Sequence, residues 1–512
     1  MLITRSLQRP PAAVCSILRS PLASRSFLPI SRPYLSSSLR PLSTTPPTTP
    51  STTSPTTNST SSSTLRNRGF FIPLLTPEED DLEYQTHRRM TAQEVAAQGH
   101  TTPPTRTKML VRDFIDDSLY NPQYGYFSKQ AVIFSPEHDF DFAAMRDHLE
   151  FLRILRKKYT EIEEDFDETD EIARQVWHTP TELFKPYYGY AIAKYMVTEY
   201  KLNLYPHRDL IIYEMGAGNG TLMLNILDYI QQFEPSVYER TRYRVIEISG
   251  RLAERQAERQ IARAIGDRHR CVEIVNKSIF EWDEVEPNHC FFLAMEVIDN
   301  FAHDLIRYDP NTYQPYQALV SISSDGNYTE LYEPIGSDPL ISRYLSLRRQ
   351  IFYRPPVLSH PFLLRLRHSL PFAPNLTRPE FIPTKLLLFL ETLHSRFPLH
   401  RLVLSDFYTL PNTIAGNDAP VVQTRYRGTM VPCSTYMVQP GYFDIFFPTN
   451  FDLLKEVYQA VCRARRPEGE RGARVVGHRD FLERYADVDK TRTRSGENPM
   501  MMYYENVKML LT

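Results

Sequence analysis

Glycine is scarce in this chain, at 18 of 512 residues, yet three glycines fall within five positions as Gly216-Ala-Gly218-Asn-Gly220. Glu214 stands two residues before them. Glycines let a backbone turn sharply and approach a ligand closely. A carboxylate beside such a turn bonds polar or cationic groups of that ligand. Glu247 lies in the apolar run Arg244-Val-Ile-Glu-Ile248, near the carboxyl end of a second strand, where an acid suits ribose hydroxyls. Glu296 and Asp299 sit in Ala294-Met-Glu-Val-Ile-Asp-Asn300. Three apart on an incipient helical turn, they face the same way. Such a pair can orient a nucleophile and take its proton. The plainer reading is a helix start with acids at the positive dipole end; the glycine loop upstream favours the chemical one.

Two ligands compete for this constellation. The dinucleotide fingerprint G-x-G-x-x-G needs glycine at 221, where Thr221 stands, and an acid roughly 20 residues on, well short of Glu247. That fingerprint also aims a helix N-terminus at pyrophosphate. A methyl donor such as S-adenosylmethionine carries a sulfonium and no phosphate, and sits more easily beside Glu214. The residues therefore favour S-adenosylmethionine over a nicotinamide cofactor.

The elements that must hold these residues are legible around them. Asp209-Leu-Ile-Ile-Tyr-Glu214 is a short apolar run that predicts a buried strand, and Thr221 to Gln232 has helical periodicity. Arg244–Ile248, Val272–Val275, Cys290–Ala294 and Arg401–Asp406 read as further strands, and Leu252–Ile265 as an amphipathic helix. Alternation of this kind predicts an α/β, doubly wound, Rossmann-like domain with a parallel sheet. Val421-Val422, Met430-Val431 and Phe443–Phe447 are β-like and are expected to close that sheet. Upstream, Val111, Phe114, Ile115 and Leu119 share one helical face after Thr107, residues 143–160 look helical, and Thr179-Pro180 opens a helix from Thr181 to Tyr200. Residues 337–400 read as helices interrupted by prolines. Eight acids between Glu161 and Glu171 read as a solvated loop, with a docking surface for a basic partner as the other reading.

The beginning of the chain is compositionally different. No Asp or Glu precedes Glu78, eight arginines occur in that stretch, and Ser43 to Thr64 is almost entirely Ser, Thr and Pro. Arg-rich, Ser-rich and acid-free is the composition of an organelle transit peptide, and the Ser/Thr/Pro tract is that of a linker. A disordered tail on a cytosolic protein is the alternative. This divides the chain into a transit peptide and linker (1–68), an N-terminal extension (69–106) and a folded domain (107–512). A net charge of −2 excludes nucleic-acid binding through bulk charge. Five scattered cysteines with no CxxC pair indicate neither a metal site nor a disulfide framework. No run of 18 apolar residues predicts a transmembrane segment.

After about residue 107 the chain resembles the MidA family of S-adenosylmethionine-dependent methyltransferases. Asn121-Pro-Gln-Tyr-Gly-Tyr126 is similar to the family's N-P-x-x-G-Y-Y element, and Thr179-Pro180-x-Glu182-x-Phe184 to its S-P-E-I-S-x-x-F element. Glu214 to Gly220, Glu247-Ile-Ser249 and Ala294-x-Glu296-x-x-Asp299 resemble its E-x-G-x-G-x-G, V-E-x-S and A-N-E-x-x-D elements. Met295 replaces the family's Asn, Asn300-Phe301-Ala302 its Ala-Leu-Pro, and Thr179 its Ser. The resemblance implies a class I methyltransferase domain with helical N-terminal and inserted elements. It implies protein arginine N-methylation in the mitochondrial matrix during respiratory complex I assembly, on a complex I subunit. It assigns Glu214, Gly216, Gly218, Gly220 and Glu247 to the donor, Glu296 and Asp299 to catalysis, and Tyr124, Tyr126 and Glu182 to the substrate side. Met295 keeps open a catalytically silent, cofactor-binding assembly factor.

Overall fold

The computed structural model describes residues 86–129, 131–136, 138–167, 175–246, 269–275, 277–336, 338–358, 362, 374–426, 429–462 and 472–512. The transit segment, Glu247 and the helix expected at 252–265 lie outside the described residues.

Seven strands form the central sheet: β1 Leu210–Met215, β2 Thr241–Ile246, β3 Val272–Val275, β4 Cys290–Met295, β5 His400–Phe407, β6 Arg474–Gly477 and β7 Val507–Leu511. Their spatial order is β3-β2-β1-β4-β5-β7-β6. The first five pair in parallel, and β7 runs antiparallel to both β5 and β6. The chain leaves β1 towards β2 and β3, then returns to build β4 on the other side. The carboxyl ends of β1 and β4 thus border the switch point where doubly wound sheets bind ligands.

The apolar run of β1 is continuous because both its faces are covered. Leu210 and Ile212 point into one core; Ile211, Tyr213 and Met215 point into another. The helices follow from the same patterning: α1 Val111–Tyr120, which packs on the second sheet described below, and α2 His148–Asp167, α3 Pro180–Leu183, α4 Tyr187–Asn203, α5 Thr221–Phe233, α6 Thr384–Arg396 and α7 Phe451–Cys462, which surround the central one. Ala191, Ile192 and Tyr195 of α4 pack with Leu222, Ile226 and Leu227 of α5 on one face. Leu386, Leu390 and Leu393 of α6 pack with Leu454 and Val457 of α7 on the other. Val111, Phe114, Ile115 and Leu119 of α1 are all buried, as their spacing predicts.

The structure corrects several expectations. The β-like stretches after residue 420 do not close the central sheet. Val421–Tyr426, Thr429–Cys433 and Asp444–Phe446 form a separate three-stranded sheet, and β6 and β7 close the central one. Between β4 and β5 the insert is not only helical. Asp304–Tyr308, Pro315–Ile322, Tyr328–Pro334 and Glu380–Ile382 join Arg88–Arg89 and Thr107–Leu110 in a second, six-stranded sheet. The acidic run is not a loop at its start, because α2 continues to Asp167. The helix expected from Thr181 is two helices, α3 and α4, broken around Pro186, which has no N–H to donate.

Candidate active site

Each glycine of the loop has a positive φ: 72° at Gly216, 55° at Gly218 and 77° at Gly220. L-residues pay for that region, which explains glycine at all three. A Cβ on Gly218 would lie 2.5 Å from Ile133 Cδ1, so the short strand Ala131–Ile133 sits directly over the loop. Gly220 caps α5, whose first turn faces the same cavity.

That cavity, of about 460 Å³, opens between the glycine loop and the end of β4. Glu182, Glu214, Tyr188, Asn219, Thr221, Met295 and Glu296 contribute its polar and central lining. Three carboxylates and no basic side chain line it among the described residues. Such a wall repels pyrophosphate and suits a cation or a zwitterion. The Glu214 carboxylate is buried and accepts a 2.7 Å hydrogen bond from the Tyr243 hydroxyl. Burial, then the charge of Glu214, push the Tyr243 phenol well above its ordinary range, so it remains a donor.

Glu182 lines the cavity beside the glycine loop. Its Oε1 accepts from Thr221 Oγ1 at 2.7 Å and Asn219 Nδ2 at 3.1 Å, and Lys185 Nζ lies 3.6 Å from its Oε2. It therefore ties α3 to the glycine loop and to the start of α5. The Thr179-Pro180 signal explains how it gets there: Thr179 Oγ1 caps α3 by accepting from the Glu182 N–H.

Glu296 and Asp299 follow β4, Asp299 within a 3₁₀ turn at Ile298–Asn300. Glu296 has φ 54°, a conformation costing about 1 kcal/mol for a residue with a Cβ. Its N–H is held by the Ser405 carbonyl of β5 at 2.8 Å, and its Oε1 is enclosed without a hydrogen-bond partner. Burial, then Asp299, push the Glu296 carboxyl well above the usual range. Asp299 is buried and is pushed up to about 7 by desolvation. Glu296 lines the cavity, whereas Asp299 is not among its lining residues.

Two acids that sequence reading did not single out stand beside Asp299. Asp406, at the end of β5, accepts the N–H groups of Ile298 and Asp299 through Oδ2 at 3.0 and 3.2 Å. Asp444 accepts from Asn300 Nδ2 at 3.0 Å. Asp406 was findable, since it ends a strand that its apolar run already marks. Asp444 had no local signal; only the folding-back of the small sheet brings it here. Tyr126 is buried, accepts from Trp177 Nε1 at 3.1 Å, and has its phenol pushed well above the usual range by burial and then by Asp444. Tyr124 is not among the cavity residues: its hydroxyl is donated to Asp117 at 2.6 Å. Among the described residues, no group of three His, Cys, Asp or Glu side chains is placed to hold a metal ion.

The sequence matches a family model of S-adenosyl-L-methionine-dependent methyltransferases over residues 191–468, more than half of the chain. It is 25% identical over 398 residues to a Schizosaccharomyces pombe protein named protein arginine methyltransferase NDUFAF7 homolog, mitochondrial. The match covers 70% of this chain and 77% of that one. Among solved structures it is similar to a COG1565 superfamily member from Burkholderia thailandensis bound to S-adenosyl-homocysteine. That likeness has 15% identity and a TM-score of 0.47, and spans 86% of this chain and 95% of the other. A ligand-free structure from the same superfamily and organism gives 15% identity, 86% and 94% coverage, and a TM-score of 0.46.

Proposed function

The chain belongs to this S-adenosyl-L-methionine-dependent methyltransferase family, and from that premise we propose that it methylates arginine side chains of a protein in mitochondria. The observation that carries the reading is the cavity at the switch point, whose charged lining consists of three acidic side chains with no basic one among the described residues. The named activity of the Schizosaccharomyces pombe relative supports the choice of acceptor. S-adenosylmethionine supplies an electrophilic methyl group on a sulfonium. The glycine loop and Glu214 hold such a donor, and the charge of Glu214 favours its cationic part. Glu182 keeps the loop in shape. Glu247, outside the described residues, is proposed for the ribose.

A guanidinium stays protonated in water, so attack requires a group that orients it and accepts a proton as the new N–C bond forms. Glu296, on the cavity wall, and Asp299, in the turn that follows it, are proposed for this role from the acceptor side. Tyr126, which feels the charge of Asp444, is proposed for the acceptor side. The finer roles, a complex I subunit as substrate and a place in complex I assembly, and the matrix location with removal of the segment before about residue 68, belong to the same proposal. Amino-acid analysis of mitochondrial protein labelled by purified enzyme and methyl-labelled donor tests it. Labelled methylarginine in a complex I subunit is expected. Donor binding without transfer to any mitochondrial protein would move the chain to the silent assembly factor that Met295 keeps open. N-terminal sequencing of organellar protein tests the cleavage, and an intact Met1 would sink it.

A further inference from the structure

Among the side-chain donors lining the cavity, Asn219 and Thr221 are given to Glu182, and Thr179 caps α3. Tyr188, the second residue of α4, is a different case: its phenol feels the charge of Glu296, which lines the same cavity. The Tyr188 side chain is 1% exposed and belongs to the core that α4 shares with α5. Its ring packs on that of His478 with centroids 5.5 Å apart. Burial pulls His478 down to about 4, so it is uncharged near neutral pH. A phenol locked by packing on a helix is a precise donor, because its direction is set before any ligand arrives.

Ser405 links Tyr188 to the turn after β4. Its side chain lies against the Tyr188 phenol, and its carbonyl accepts the Glu296 N–H at 2.8 Å. Ser405 stands opposite Met295 in the pairing of β5 with β4, level with the end of β4. Glu296 Oε1 and Ser405 Oγ are both enclosed with no hydrogen-bond partner. Burial, then the charge of Glu296, push the Tyr188 phenol above its ordinary range, so it keeps its proton and remains a donor. A second phenol, Tyr504, feels Glu296 as well, but its O–H is given to the His178 carbonyl at 3.1 Å. An enclosed carboxyl oxygen without a partner is costly, and a hydroxyl on the same wall relieves it.

We propose that Tyr188 is a positioning residue: its phenol O–H is donated to the Glu296 carboxylate, which it holds ionised and turned towards the acceptor. This deepens the proposed transfer to arginine and rests on Glu296 as the group that serves the acceptor. Without a donor, burial and Asp299 keep the Glu296 carboxyl well above the usual range, where it holds a proton and cannot take another. A hydrogen bond to the charged form favours that form. Glu296 then accepts the proton that leaves the guanidinium nitrogen as the N–C bond forms and the S–C bond of the donor breaks. Among the described residues, the other titratable groups around Glu296 are Asp299 on the same turn, Asp406 at the end of β5, Tyr504 before β7, and Glu182 and Glu214 in the lining of the same cavity.

Infrared spectroscopy reads the Glu296 carboxyl directly. Difference spectra between pH steps are taken on the full-length protein loaded with S-adenosyl-homocysteine, and the carboxyl band absent from Glu296→Gln belongs to Glu296. In Tyr188→Phe the titration midpoint of that band should move up by about one pH unit. In Tyr188→3-fluorotyrosine, which keeps the ring and makes the hydroxyl a stronger donor, it should move down. Calorimetry should give Tyr188→Phe the S-adenosyl-homocysteine affinity of the wild type. Single-turnover transfer of labelled methyl to a mitochondrial protein extract should fall about tenfold near neutral pH in Tyr188→Phe, with the acid limb of its pH profile moved up. An unmoved midpoint in folded Tyr188→Phe would overturn the proposal, and so would loss of S-adenosyl-homocysteine binding by that variant. If Tyr188→Phe does not fold, the 3-fluorotyrosine variant decides the matter, and a midpoint that stays or rises there overturns the proposal. Shifted midpoints in a protein whose wild type transfers no methyl group would uphold the contact and instead break the reading of an arginine methyltransferase.

Discussion

At the scale of single residues, the site is a set of carboxyl groups distinguished by their surroundings. Glu214 has a phenol donated to it; Glu296 has an enclosed oxygen with none. Asp299 is not among the residues lining the cavity, so its replacement should separate donor binding from transfer. Asp299→Asn is expected to keep donor affinity in calorimetry and to lower single-turnover transfer by about 10²–10⁴. The same variant tests the buried acid by stability. The Asp299 carboxyl, pushed up from an ordinary 3.8 to about 7, keeps its proton in the folded chain where the unfolded chain gives it up. Its stabilising contribution is full below the unfolded value and is lost as pH rises through the folded one. The melting temperature of Asp299→Asn relative to wild type should therefore rise between about pH 5 and about pH 8. A difference that does not move with pH would mean that the carboxyl titrates normally.

At the scale of elements, the loop between β1 and α5 is held from outside as much as by its own glycines. Gly218→Ala places a Cβ at φ 55° and against Ile133, so a loss of about 1–2 kcal/mol in chemical denaturation is expected, with weaker donor binding. Donor affinity equal to wild type in a folded Gly218→Ala would place the donor away from this loop. The cap of α3 is a second lever. Thr179→Ala removes the bond to the Glu182 N–H, and about 1 kcal/mol of stability is expected to go with it. Its effect on the donor should be indirect, through the Glu182 contacts to Asn219 and Thr221, and should vanish in a Glu182→Gln background.

At the scale of the whole molecule, the last strand lies inside the central sheet rather than on its edge. β7 pairs with β5 on one side and β6 on the other. Met509 and Leu511 enter one core and Leu510 the other. Removal of Val507–Thr512 should therefore abolish cooperative unfolding and donor binding together, read by circular dichroism and calorimetry. A truncated chain that still melts cooperatively would show that β1 to β5 suffice. Four strands of the second sheet lie in sequence between β4 and β5, and the whole third sheet lies between β5 and β6, so both interrupt the chain of the central sheet.

The sequence alone determined the donor half. β1, the glycine loop and α5 are consecutive, and short-range patterning encodes them: an apolar run, three positive-φ positions and a helical repeat. Glu214 and Glu296 were legible because each ends a strand that its neighbours already mark. The surroundings of Asp299 were not legible, because their members are far apart in the chain. Asp406 and Asp444 meet Asp299 only after β5 docks on β4 and the small sheet folds back over the turn. The strands after residue 420 misled for the same reason: β-propensity states that a segment is extended, while the partner it finds is decided by what its faces bury. The tertiary structure alone decided that Asp299, Asp406 and Asp444 are buried around one turn, since desolvation and mutual repulsion arise only once the chain has closed around them.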